Sequence, residues 1–107
     1  MATTRTQRAT GAAAIATTVA PGVAWQLESI RVHLSAAGGA GDLTATINHG
    51  TSAAYDIVLL TQDMTTVVDL VWSPNRPMEF LPGDELDIAW ANAGTKTYGL
   101  EIVFKGI

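Results

Sequence analysis

The sequence contains no cysteine, only two lysines, and little charge of either sign, since charged residues make up 15% of its 107 positions. Without cysteine the chain can form no disulfide framework, thiolate metal site or cysteine nucleophile. Ten acidic residues against six basic ones give a net charge of −4, which disfavours a nucleic-acid binder that relies on a basic face. There is no apolar run of about 18 residues, so no transmembrane helix is expected. The length fits a single small domain, and these absences predict that it binds neither nucleic acid nor membrane.

Small neutral residues take the place of the missing charge, with 17 alanines and 14 threonines in the chain. A free monomeric domain usually has about a quarter charged residues. A surface this poor in charge is what we expect when much of it is covered by other protein.

The few charges are distributed unevenly. The first acidic residue is Glu28, so residues 1–27 carry a charge of +2 and residues 28–107 carry −6. A basic start of this kind also occurs in secretory signal peptides. That interpretation is disfavoured because Thr17 and Thr18 interrupt the apolar stretch that a signal peptide requires.

Residues 1–10 contain no bulky apolar side chain after Met1, and therefore no anchor for a hydrophobic core. We expect them to form an extended N-terminal arm that contacts a lattice or a neighbouring subunit. Residues 11–107 are expected to form a single β-sandwich domain. The predicted contact residues of the arm are Thr3, Thr4, Arg5, Gln7 and Arg8.

Apolar and polar residues alternate between turn signals along the rest of the chain, which is typical of β-strands. In residues 25–34 the alternation changes phase near Glu28 and Ser29, and such a change predicts a β-bulge. We count about eight strands at roughly 8–12-residue spacing. The pattern therefore predicts an all-β fold, an antiparallel β-sandwich with a jelly-roll-like arrangement.

The residues that could perform chemistry form weak patterns. Glu85 and Asp87 lie two apart on one predicted strand and face the same way about 7 Å apart, a separation compatible with glycoside hydrolysis. Carboxylates after a Pro-Gly turn more commonly protect a strand, and Asp84 is expected to cap that turn. His33 and His49 stand 16 residues apart, too isolated for a metal site. We predict no enzymatic activity, no metal and no cofactor.

Three tryptophans would form a sugar-binding platform if they were exposed. Trp25, Trp72 and Trp90 each share the parity of neighbouring apolar residues, so we assign them to the core. A carbohydrate-binding, lectin-like β-sandwich is nevertheless the alternative from another functional class.

Some strands also carry apolar residues on the face opposite the core. A sandwich of this length has one interior, so a second apolar face indicates contact with further copies or a larger assembly. The predicted subunit interface consists of Val58, Leu60, Val67 and Val71.

Four features carry a resemblance to a known group of proteins: the polar arm, the near absence of lysine, residues 80–90 with their Pro-Gly-Asp turn, and the terminal strand at residues 98–104. Together they resemble the small all-β virion proteins of tailed bacteriophages, in particular head decoration (cement) proteins. The resemblance implies a homodimer or homotrimer on the capsid surface that clamps the major capsid protein or another virion protein. It carries over no catalytic residue. A tail or adaptor subunit of the virion is a third interpretation.

Overall fold

The computed structural model describes residues 3–107, and in these the chain is almost entirely β-structure. A single-turn 3₁₀ helix (Ala53–Tyr55) separates the fourth and fifth of nine strands. The strands are β1 (Thr4–Gly11), β2 (Ile15–Val19), β3 (Trp25–Leu34), β4 (Asp42–Asn48), β5 (Ile57–Asp63), β6 (Asp69–Trp72), β7 (Met78–Phe80), β8 (Glu85–Trp90) and β9 (Tyr98–Gly106).

These strands form two antiparallel sheets packed face to face. The front sheet has the spatial order β1-β9-β3-β6, with β7 also paired to β3, and the back sheet has the order β2-β8-β4-β5. β6 and β7 pair with different ends of β3 and so act as one interrupted strand. With these two counted as one, the strand order is that of a jelly roll. The predicted antiparallel β-sandwich is confirmed.

Two local features explain the strand boundaries. Pro74 and Pro77 lie between β6 and β7, and because proline has no backbone N–H they interrupt the ladder there. This interruption makes nine strands where about eight were expected. The predicted bulge in β3 is also confirmed, because the register of β3 against β9 shifts between Leu27 and Ser29.

The core lies between the two sheets. It is built from side chains at alternate positions of the strands, which point inward. Trp25 is completely buried, and its ring packs against Phe80 and Phe104 with centroids 4.5 and 5.6 Å away. Trp90 is buried too, whereas Trp72 is partly buried against the same core. The three tryptophans therefore point inward, as their parity predicted.

The N-terminal segment lies differently from the expected arm. β1 runs antiparallel along β9 without interruption, from Thr4 opposite Lys105 to Gly11 opposite Tyr98. Lack of apolar anchors does not exclude an edge strand, because backbone hydrogen bonds hold the ladder whatever the side chains are. Residues 4–10 thus belong to the front sheet of their own chain. The first two residues of the predicted arm lie outside the described residues.

Two glycines provide a matched test of packing tightness. A Cβ atom added at Gly38 would lie 2.4 Å from the carbonyl oxygen of Met64, whereas one at Gly99 would meet nothing within 4 Å. We expect Gly38→Ala to lower the free energy of unfolding by about 1–3 kcal/mol through overpacking. Gly99→Ala should leave it unchanged or raise it by up to about 1 kcal/mol, because alanine restricts the unfolded chain. Urea unfolding measures both, and equal losses would contradict the close approach at Gly38.

Candidate interaction surfaces

The four residues of the predicted subunit interface do not lie on one surface. Val58 is opposite Thr46 on the outer face of the back sheet, and Val71 is opposite Arg31 on the outer face of the front sheet. Both are exposed, but they are on opposite sides of the sandwich. No single flat contact could cover both.

The other two predicted interface residues pack against the core. Leu60 is opposite the buried Ala45, because the register of β4 against β5 shifts between Ala45 and Thr46 and turns Leu60 inward. Val67 lies in the loop after β5, where its carbonyl accepts a hydrogen bond from the Gly38 amide at 3.1 Å. The assignment by parity was therefore wrong at a bulge and at a turn, where alternation does not hold.

Two predicted arm residues make side-chain hydrogen bonds within their own chain. The amide group of Gln7 donates to the carbonyl of Thr18 at 2.9 Å, which links β1 to β2 across the side of the sandwich. Arg8 donates to the carboxylate of Glu101 at 2.7 Å, across β1 and β9. The remaining arm residues, all exposed, are Thr3, Thr4 and Arg5.

The outer face of the front sheet carries paired charges. Glu101 lies between Arg8 and Arg31, with N–O distances of 2.7 and 3.7 Å. The cross-strand neighbours His33 and Asp69 form a second pair through Nδ1 and Oδ1. These groups satisfy one another, so the face offers a partner few charges that are not already engaged.

Between these pairs the front face is hollow, because Gly99 has no side chain to fill the space between β1 and β3. The depression has a volume of about 470 Å³ and is open to solvent. Thr10 and His33 form its sides. Its polar rim and shallow form make it a secondary candidate for ligand binding.

The ion pair of Arg8 gives a testable pH dependence. Hydrogen bonding by Arg8, and the attraction of Arg31, hold the pKa of Glu101 below its ordinary value. The lowered pKa means that the stabilising contribution is complete above the ordinary pKa and is lost as the pH falls through the folded-state value. We expect Arg8→Ala to raise the pKa of Glu101 toward its ordinary value, because the main hydrogen bond that lowers it is lost. NMR titration of the carboxyl carbon measures it. Arg5→Ala is the control, and an unchanged pKa in Arg8→Ala would contradict the pairing.

The acidic group at residues 84–87 has structural partners. Asp84 is 4% exposed, and its carboxylate accepts the backbone N–H of Leu81 at 3.0 Å and that of Gly50 at 3.2 Å. Nε2 of His49 lies 3.5 Å from the same carboxylate. Asp84 therefore caps its own turn, as predicted, and also ties that turn to the loop after β4.

Glu85 and Asp87 do share the outer face of the back sheet, on which Asp87 accepts the hydroxyl of Thr18 at 2.7 Å. Neither histidine assembles a metal site with these carboxylates: among residues 3–107 no group of three or more His, Asp or Glu is arranged to hold a metal ion.

Replacing Asp84 tests its structural role. Asp84→Ala leaves the N–H groups of Leu81 and Gly50 without acceptors inside the protein, and we expect a loss of about 2–3 kcal/mol in the free energy of unfolding. Asp87→Ala is the matched control, because its partner Thr18 is exposed to water, and it should cost under about 1 kcal/mol. Urea unfolding compares the two. A loss at Asp84 no larger than at Asp87 would contradict the role of its carboxylate.

Large exposed apolar side chains converge on the open side of the sandwich, where β5 and β7 are the edge strands. Tyr55, Ile57 and Leu81 are 59, 59 and 60% exposed. They line a cleft of about 370 Å³ whose wall also includes Met78 and Phe80. We call this surface the β5–β7 cleft. It brings together three of the eight large apolar side chains that are exposed among the described residues.

One end of the cleft is held by His49. Its ring lies 5.1 Å from that of Tyr55, and its Nδ1 accepts the backbone N–H of Thr51 at 3.2 Å. Its Nε2 lies on the side of the ring that faces Asp84, 3.5 Å from the carboxylate. These contacts place Tyr55 firmly at the mouth of the cleft.

Alternation alone does not reveal the cleft, because Tyr55 and Ile57 are two residues apart and would be assigned to one face of a single strand. Tyr55 instead ends the 3₁₀ helix, which Ser52 caps by accepting the amide of Ala54, and β5 starts only at Ile57. The available signal was the turn chemistry of Ser52, since serine favours caps over strands.

Comparisons of the chain with protein-family models, with curated proteins and with solved structures each find no match. Within residues 3–107, no helix has the length and apolar character needed to cross a membrane.

Proposed function

We propose that this protein is a non-enzymatic virion structural protein, a capsid decoration (cement) protein that binds the outer capsid lattice and stabilises it. The observation that carries the proposal is the β5–β7 cleft. Three large apolar side chains, each more than half exposed, meet there in one concave surface. Covering apolar surface is favourable by about 25 cal/mol per Å². A partner that fills the cleft would supply this stabilisation.

The composition of the cleft suits a protein partner. Protein interfaces commonly combine a desolvated apolar centre, an aromatic anchor and a polar rim. Here Ile57 and Leu81 form the apolar part, Tyr55 is the aromatic residue, and His49 and Glu79 lie at the border. A loop of the major capsid protein, or of another virion protein, that inserts one apolar side chain fits this description.

The small size of the cleft favours repeated binding over a single strong contact. A volume of about 370 Å³ accommodates a few side chains, whereas a standard stable interface involves about 20–30 residues on each side. Many copies bound to one lattice gain avidity, because each contact holds its neighbours in place. A tail or adaptor subunit would use the same cleft at a site of lower copy number.

The charge of the chain agrees with a position on the capsid surface. A net charge of −4 suits contact with protein and disfavours contact with the packaged nucleic acid. The paired charges of the front face add no basic patch.

Carbohydrate binding is the second candidate, and the exposed ring of Tyr55 favours it. An exposed aromatic ring beside polar groups can stack on a sugar, and Glu79 lies on the same cleft. Trp25 and Trp90 cannot contribute, because both are buried. A lectin-like site here would therefore depend on Tyr55 alone.

A charge placed in the cleft tests the proposed function. We expect the unaltered chain to cosediment with purified heads of the virus that encodes it, and Leu81→Asp to bind at least tenfold more weakly, because the cleft would have to desolvate a carboxylate. Val71→Asp is the matched control, as Val71 is an exposed apolar residue on the other sheet. Equal binding by both variants, or none by the unaltered chain, would contradict the proposal.

Glycan binding is measured with the same proteins on a glycan array. Binding that Tyr55→Ala abolishes, together with no binding to virus heads, would replace the decoration function by the lectin-like one.

A further inference from the structure

The sheet edges differ in how they resist pairing with a further strand. β2 has five residues, β6 and β7 have four and three with prolines between them, and β5 is bulged against β4. Short strands, prolines and bulges are the devices that protect edges. β1 has eight residues in unbroken register and contains neither proline nor lysine. Its free edge is the least protected one in the described chain.

The ladder between β1 and β9 determines which backbone groups face outward. The Gly106 amide donates to the carbonyl of Thr3, so these two residues form a hydrogen-bonded pair. Hydrogen-bonded and non-hydrogen-bonded pairs alternate in antiparallel ladders. Arg5, Gln7 and Ala9 therefore direct their N–H and C=O groups toward β9. The residues that direct theirs away from it are Thr4, Thr6, Arg8 and Thr10.

Within the described part of the chain, the outward groups have no hydrogen-bond partner. No loop backbone and no side chain within residues 3–107 hydrogen-bonds to the N–H or C=O of these four residues. A strand of complementary length could therefore pair with all of them.

A second copy of β1 fits this edge in one register. When Gln7 lies on a twofold axis, Thr4 pairs with Thr10 of the second copy and Thr6 pairs with Arg8 of the second copy. All four outward residues are then matched, with about eight hydrogen bonds in total. A shift by two residues in either direction leaves Thr4 or Thr10 without a partner inside β1.

The same register keeps like charges apart. Arg5 would lie opposite Ala9 of the second copy, and Arg8 opposite Thr6, so no arginine directly faces another. The two Arg8 side chains would be diagonal neighbours, and each is already paired with Glu101 of its own chain. The main penalty against pairing two basic strands, like charges directly opposite, is thus absent.

We propose that two copies of this chain associate through their β1 edges in this register, so that their front sheets become one continuous sheet about a twofold axis. The inference does not rest on the decoration function, because it uses only the backbone of β1. The β5–β7 cleft lies on the opposite side of each sandwich and stays open in both copies.

Single-cysteine variants test the register, since the chain contains no cysteine. Gln7 would be a non-hydrogen-bonded pair with itself, at a Cα separation of about 4.5 Å, within the range that a disulfide spans. Ala9 would lie more than about 13 Å from its counterpart. We expect Gln7→Cys to form a disulfide-linked dimer under mild oxidation and Ala9→Cys to stay monomeric in non-reducing electrophoresis. Equal cross-linking of both variants, or cross-linking of neither, would overturn the proposal.

Sedimentation of the protein without cross-linking tests the backbone pairing. Thr6→Pro removes an outward N–H at a position where an edge strand tolerates proline, and Thr6→Ser keeps that N–H. We expect the unaltered chain and Thr6→Ser to dimerise, and Thr6→Pro to raise the dimer Kd at least tenfold. The proposal would be overturned if the unaltered chain were monomeric, which is the result expected if β1 instead binds a foreign peptide. A folded Thr6→Pro variant that dimerises as tightly as the unaltered chain would also overturn it. Binding to virus heads through Leu81 is measured separately, so either proposal can fail alone.

Discussion

Asp84 links the interior of this sandwich to the β5–β7 cleft. Trp25, the largest fully buried side chain, donates its indole N–H to the Asp84 carbonyl at 3.3 Å. The carboxylate of the same residue holds the amides of Leu81 and Gly50. The wall of the β5–β7 cleft is therefore fixed by the same residue that completes the hydrogen bonding of the core. A buried carboxylate is tolerated here because several donors surround it.

The strands, the sandwich and the bulge of β3 were predictable, because alternation reports directly which side of a strand is buried. The inward positions of Leu60 and Val67 were not predictable, because a bulge and a turn each interrupt the alternation from which burial is predicted. The pairing of β1 with β9 was not predictable either, because backbone hydrogen bonds hold this edge strand and its side chains give no sign of them. The β5–β7 cleft combines residues 55–57 with residues 78–81, and no local pattern shows that they meet.

Strand preference accounts for part of the low charge of the chain. Threonines such as Thr44 and Thr46 occupy outward positions of the back sheet, where β-branched side chains suit the extended backbone. Six of the sixteen charged residues lie on the front face in ion pairs with one another or with His33. A small neutral surface therefore reflects strand preference as well as the coverage that composition alone suggested.

The position of β9 has a consequence for folding during translation. β9 lies between β1 and β3, yet it is synthesised after all eight other described strands. During translation β1 and β3 therefore cannot pair with β9 until it has been synthesised. The four strands of the back sheet are all available to pair before then. Such non-local closure makes folding slow and leaves strand edges open to aggregation in the interval. The nascent chain depends on β9 to complete the front sheet.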